Sequence, residues 1–144
     1  MTITARWLII LFSFIGIADS VYLTEHALVG TPPTCNLGGV DGCRVVAESA
    51  YSSLFGIPLG AYGVVFYALF FVLAAVSLVW MGNHLRDALK ILGVIGAIAS
   101  VIFIAIQVFL IGALCLYCVL SAILTFLLLG AVFWKPPLQA SHPS

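Results

Sequence analysis

The sequence predicts an all-α membrane protein, a four-transmembrane-helix bundle. Its first two helices are joined by an extracytoplasmic, cysteine-bearing cap loop that includes a short interfacial helix. Three observations predict it. Of 144 residues, 64% are hydrophobic and only 7% charged, where a soluble domain carries about a quarter charged residues. That apolar surface exceeds what one core can hide, so lipid is the expected solvent. The charge-free runs are also long, reaching or exceeding the about 20 residues a helix needs to cross a bilayer core of about 30 Å. Finally, the few basic residues fall unevenly between the segments that join those runs. Net charge is zero and no basic stripe exists, which leaves nucleic-acid binding without a footing.

The first helix is expected over about 7–28, from Trp7 to Leu28, interrupted by Asp19 and Glu25. Arg6 before an apolar run, with Gly16-Ile17-Ala18 at cleavage-like spacing, imitates a signal peptide. The apolar pattern continues through Val21-Tyr22-Leu23 to Val29, however, so a retained span is the expectation. A cap loop follows over about 29–57, stiffened by Pro32-Pro33 and loosened by Gly38-Gly39 and Gly42. Within it, Ser49 to Ser53 reads as the interfacial helix, turning Phe55 inward, with a lipid-facing Phe55 as the plainer alternative.

The second helix is expected over about 58–81, with Pro58 in the first turn, where a backbone N–H is unpaired anyway. The charge-free run from Ile91 to Trp134 is too long for one helix. Gly112 is the natural break, giving helices over about 88–111 and 113–134. Gly60 and Gly63 on helix two, and Gly93, Gly96 and Ser100 on helix three, allow close backbone approach. Residues 1–135 then form a single membrane domain, and 136–144 a short polar tail.

Four spans put the N-terminus, the loop between helices two and three and the C-terminus on one side. Those places hold Arg6, Arg86, Lys90 and Lys135, whereas Arg44 lies opposite with Glu25, Asp41 and Glu48. The positive-inside rule therefore puts both termini in the cytoplasm, and Trp7, Trp80 and Trp134 fall at the cytoplasmic ends as interfacial anchors. Cys35 and Cys43 then lie in the extracytoplasmic loop, and Cys115 and Cys118 open the last helix near the same surface. That side is an oxidising compartment, where disulfides persist.

At i and i+3, Cys115 and Cys118 project from one helical face, and the partial positive charge of a helix start favours a thiolate. A disulfide within one turn closes almost no loop and adds little stability, so this Cys-x-x-Cys reads as redox-active. For Cys35 and Cys43 a structural staple remains open. Thiolate pairs also bind zinc or copper(I), but His26, His84 and His142 scatter over both sides. Asp19 and Gln107 are intramembrane polar groups in the outer half of their helices. Asp19 reads equally as functional or as an interhelical hydrogen bond, and Gln107 as packing glue.

Taken together, Cys43-Arg44-Val45-Val46-Ala47-Glu48-Ser49, Phe55-Gly56-Ile57-Pro58-Leu59, Cys115-Leu116-Tyr117-Cys118 and the early Ser20-Val21-Tyr22-Leu23-Thr24 resemble the vitamin K epoxide reductase family, from about residue 7 to 134. The resemblance implies a four-helix bundle enclosing a quinone (ubiquinone, menaquinone or a vitamin K type) beneath the cap loop. It implies that Cys118 is the thiol beside the quinone and Cys115 its exchange partner. Cys43 would be the shuttle that attacks the Cys115–Cys118 disulfide, and Cys35 would resolve it. Ser49 matches a family serine near the redox centre, and Ser52, Phe55, Asp19 and Tyr62 are further candidates for supporting the quinone pocket. Bacterial members of that family oxidise thioredoxin-like (DsbA-like) extracytoplasmic partners, whereas animal members reduce vitamin K epoxide and quinone.

Two departures bear on this. Many bacterial relatives carry a fused thioredoxin-like domain, whereas Lys135-Pro136-Pro137 leads here into a short polar tail, so the expectation is either a separate partner protein or a domain that has been removed. Animal members have a tyrosine four residues beyond the last cysteine, where this chain has Ala122. The expected function is a quinone-linked membrane thiol oxidoreductase supporting disulfide formation, without a metal, in a bacterial inner or cell membrane. The alternatives are an animal-type vitamin K epoxide or quinone reductase and, from a different class, a small membrane metal carrier using the cysteine pairs.

Overall fold

The computed structural model describes residues 2–33, 35–37, 40–80 and 82–134, with the side chains of 36, 37 and 40 excepted. The polar tail of 136–144, Lys135 and Gly38-Gly39 lie outside the described residues. Among the described residues four helices are long and apolar enough to cross a membrane, as the sequence predicts. The first, α1, runs from Ile3 to Val29, with Thr2 Oγ1 accepting the Ala5 N–H at its start and Gly30 in the left-handed conformation at its end. It begins earlier than expected because this cap, rather than Trp7, sets the first turn.

The cap region is a chain of short pieces. Strands β1 (Asn36–Leu37) and β2 (Val40–Asp41) pair antiparallel, then α2 (Gly42–Ala47) and a 3-10 turn (Ala50–Ser52) follow. A second hairpin, β3 (Ser53–Leu54) with β4 (Ile57–Pro58), leads into the next span. The expected interfacial helix thus shrinks to the 3-10 turn, and α2 precedes it. Pro58 sits at the N-cap of the second span rather than inside it.

The remaining spans are α3 (Leu59–Val79), α4 (Asn83–Ala105), prolonged by a π turn over Ile106–Ile111, and α5 (Leu116–Phe133). Helix α4 starts five residues before the expected position, so Arg86, Asp87 and Lys90 belong to its first turns. Lys90 is accommodated there because its Nζ lies 5.4 Å from the centre of the Phe133 ring, a cation–π contact.

The bundle core joins Ile9 of α1, Tyr67 and Phe70 of α3, Leu89 of α4 and Leu128 of α5. Gly60 and Gly63 lie against Ser20 and Thr24 of α1, and Gly93 and Gly96 against Leu129 and Phe66, which is the close approach their lack of a side chain permits. Outward-facing residues such as Phe14, Val72, Ile98 and Leu127 are exposed and apolar, as lipid contact requires. A second buried cluster sits at the far end of the bundle from Arg6 and consists of Cys35, Cys43, Val46 and Cys115.

Candidate functional site

Cys35 and Cys43 form a disulfide with their Cα atoms 5.5 Å apart. Their segment is shaped by Asp41, whose Oδ1 accepts the N–H groups of Cys35 (3.2 Å) and of Arg44 (3.3 Å), capping α2 while tying it back to the preceding loop. Gly42 brings α2 onto the backbone between α4 and α5, since a Cβ at this position would collide with the Leu114 carbonyl oxygen. That contact seats Cys43, wholly buried, beside Cys115, which is 2% exposed.

Cys115 arrives there through two further backbone features. The Gln107 carbonyl accepts the N–H groups of both Gly112 (2.8 Å) and Ala113 (3.1 Å), and Gly112 turns with φ 75°, a value other residues rarely adopt. The chain then runs extended through Cys115, the N-cap of α5, so the last helix opens at Leu116 and not at 113. Cys115 and Cys118 are therefore not two positions of one helical face as expected. Cys115 lies just off the helix and turns toward the cap, whereas Cys118 lies within its first turn.

The result is a chain of sulfurs. Cys115 Sγ is 3.3 Å from Cys43 Sγ, and the Leu116 N–H points at Cys43 Sγ from 3.3 Å. Cys115 and Cys118 are free thiols. The Cys115 thiol is drawn down to about 7, chiefly by the hydrogen bond from the Cys118 thiol and with help from backbone N–H groups at the helix start, against burial, which raises it. A thiolate at Cys115 is what exchange with the neighbouring disulfide requires.

Gln107 lies beside both. Its Oε1 accepts the Cys115 N–H at 3.1 Å, and its side chain lines a cavity together with Cys118. One buried amide thus holds the Cys115 backbone, from a π turn of the kind often found at functional sites. Read from the sequence as packing glue, it is the main site residue that spacing did not reveal.

Cys118 lines two cavities. The smaller, about 190 Å³, lies beneath the cap and is shared by Cys43, Cys115, His26, Pro33 and Ser52. The larger, about 470 Å³, descends between the helices and is lined mostly by apolar side chains, with Cys118 but not Cys115 on its wall. Its polar edge continues along α5 through Ser121 and Thr125 to Tyr67 of α3. Tyr67 Oη lies 2.7 Å from the Ser121 carbonyl, 2.8 Å from Ser121 Oγ and 3.0 Å from Thr125 Oγ1. Thr125 Oγ1 donates to the same carbonyl at 2.9 Å. With the Tyr67 and Thr125 hydrogens both directed to that carbonyl, the Ser121 hydrogen is left for Tyr67 Oη or for a ligand oxygen.

Residues 7–133 match the model of the vitamin K epoxide reductase family. The chain belongs to that family. It is also 32% identical over 115 residues to the thiol-disulfide oxidoreductase LTO1 of Arabidopsis thaliana, a match covering 75% of this chain. The chain corresponds to 30% of the length of that relative. Family membership makes this domain a membrane oxidoreductase. Among the described residues no group of three or more His, Cys, Asp or Glu is arranged to hold a metal ion.

The other residues expected at this family site divide. Ser52 lines the small cavity and donates to the Ser49 carbonyl. Tyr62 lines the large one, but its hydroxyl donates to the Leu54 carbonyl at 2.8 Å. Ser49 donates to the Val46 carbonyl and lines neither cavity. Phe55, expected to point inward, stands 91% exposed at the tip of the β3–β4 hairpin with φ 56°. The hairpin turn directs its side chain away from the bundle. Asp19 is buried, lines neither cavity and keeps one carboxyl oxygen without a hydrogen-bond partner.

Proposed function

We propose that this domain, over residues 1–135, passes electron pairs from a thioredoxin-like partner through Cys35 and Cys43, then Cys115 and Cys118, to a quinone, and so supports disulfide formation. The observation that carries the reading is the 3.3 Å approach of Cys43 to Cys115, with Cys118 behind it on the wall of the large cavity. The partner dithiol reduces the Cys35–Cys43 disulfide and leaves oxidised. Cys43 thiolate then attacks Cys115, releasing Cys118, and Cys35 resolves the mixed disulfide. This returns the loop pair to the disulfide and leaves Cys115 and Cys118 as thiols, the redox state of the four cysteines described above.

A quinone supplies an acceptor for two electrons and two protons. The cavity suits its size and apolarity, and the Ser121 hydroxyl is supported as the group that donates to a ring carbonyl. Animal members carry a phenol at the position of Ala122, itself on this cavity wall; here Tyr67 brings one from α3 instead. The basic residues support cytoplasmic termini and an extracytoplasmic thiol end. LTO1, by its name a thiol-disulfide oxidoreductase, supports the reaction type.

The test is quinone-dependent oxidation of a reduced thioredoxin-like protein by the purified chain. Cys118→Ala is expected to leave the Cys35–Cys43 disulfide reducible by the partner but to abolish quinone reduction. Turnover at the parent rate in that variant would sink the assignment.

A further inference from the structure

We propose that the end of the bundle opposite the cysteines holds a phosphate group, supplied by the headgroup of an anionic phospholipid. A concavity of about 200 Å³ opens there between the start of α1, the end of α3 and the start of α4. Arg6 and Arg86 both line it, together with Ser77, Trp80 and Asn83, and among the described residues no carboxylate does. Arg6 is only 9% exposed. Nε of both arginines is buried without a hydrogen-bond partner, and neither arginine takes part in an ion pair among the described residues.

Two like charges have been brought together, one of them nearly out of water, with nothing to neutralise them. Arginine cannot escape by losing its proton, because its guanidinium stays charged at any accessible pH. Burying an unpaired cation is strongly unfavourable, so the arrangement calls for an anion. The planar fork of donors on each guanidinium matches phosphate oxygens two at a time.

The helix start adds to this independently. α4 is 23 residues long, and its N-cap, Gly82, offers no side chain to cap the first turn. The N–H groups of that turn are unpaired and carry the positive end of the helix dipole beside the same concavity. The Ser77 hydrogen is already committed to the Ala74 carbonyl at 2.6 Å, so the free donors are the two guanidiniums and the helix start.

The setting selects a lipid as the source. Trp80, exposed at the rim, marks the level of the headgroups. Val76 and Val79 stand exposed just below it on α3, an apolar surface on which acyl chains can lie while the phosphate enters between the arginines. Basic pockets between spans are recognised sites for acidic headgroups. A zwitterionic choline lipid would bring its own cation toward the two arginines and is disfavoured.

The experiment is a native mass-spectrometric titration of the full chain in neutral detergent with phosphatidylglycerol, phosphatidylcholine or inorganic phosphate. Phosphatidylglycerol is expected to bind about tenfold or more tightly than phosphatidylcholine, and Arg6→Gln or Arg86→Gln to erase about tenfold of that affinity, as loss of a charge-assisted contact implies. Arg86 is only half-buried, so its variant carries the test if Arg6→Gln fails to fold, as judged by thermal melting in the same detergent. Equal binding of the two lipids, or unchanged phosphatidylglycerol binding in a folded variant, overturns the site. Binding of inorganic phosphate as tight as that of phosphatidylglycerol overturns the lipid as its source.

Discussion

Cys35 and Cys43 are eight residues apart and held by short local elements, whereas Cys115 and Cys118 are three apart and depend on a side chain from the preceding span. The loop pair is organised by one carboxylate, Asp41, acting within a few residues of itself. The helix pair is organised by Gln107, whose amide reaches the Cys115 N–H only because the π turn and Gly112 fold the chain back. The difference matches the work proposed for each. A pair that meets a protein partner and then turns inward needs a flexible local frame. A pair that meets a buried acceptor needs fixed orientation, which the bundle supplies.

Removing one pair from the path is the strongest way to break this comparison. Cys43→Ala is expected to abolish oxidation of a protein partner while a small dithiol still drives quinone reduction through Cys115 and Cys118. Loss of both activities would mean that the pairs do not work in series. A smaller effect is expected from Gly42→Val. Its side chain would force α2 off the Leu114 carbonyl and part Cys43 from Cys115, slowing pair-to-pair exchange about 100-fold, as a displacement of about 1 Å does for aligned groups. Stopped-flow addition of a reduced thioredoxin-like protein to the fully oxidised chain, followed by the appearance of the Cys115 and Cys118 thiols, measures this; a parent-like rate would show that the loop moves freely.

Gln107→Leu sharpens the other half. It leaves the buried Cys115 N–H without its acceptor, a cost of about 1–3 kcal/mol, and loosens the Cys115–Cys118 hydrogen bond. In the parent, the reverse exchange, in which the Cys115 thiolate attacks the Cys35–Cys43 disulfide, should be level above pH 7 and fall about tenfold per unit below it, because the thiol titrates at about 7 and only the thiolate reacts. The variant is expected to lose about tenfold in rate at pH 7 and to shift that profile upward. An unmoved profile would make Gln107 mere packing. The smallest change is expected from Asp41→Ala, which removes a cap worth about 1 kcal/mol and should lower protection of α2 in hydrogen exchange without altering the helix pair.

Much of the fold was legible because the bilayer imposes a length and a polarity that a sequence cannot conceal. Pro58, Gly112 and the charge-free runs located the spans to within a few residues, and the family resemblance singled out the four cysteines. Ser121 and Thr125 were legible too in principle, being three and seven residues beyond Cys118 on one helical face, but nothing in their spacing announced Tyr67 as their partner. Phe55 was misdirected because its orientation depends on a positive φ in a hairpin, which a Phe-Gly pair does not reveal.

By itself the sequence determined the solvent, the number of spans, the end of the bundle at which all four thiols collect, and the basic character of the opposite end. Hydropathy and charge act residue by residue, so composition and order suffice for these. Only the tertiary structure decided how closely Cys43 approaches Cys115 and which cavity Cys118 lines, relations that the family resemblance implied without geometry, that Gln107 holds the Cys115 N–H, and that Arg6 and Arg86 share one unpaired pocket. These are relations of a few ångströms between segments distant in the chain. They are set by a glycine's close approach, a π turn and the packing of whole helices, none of which any local pattern encodes.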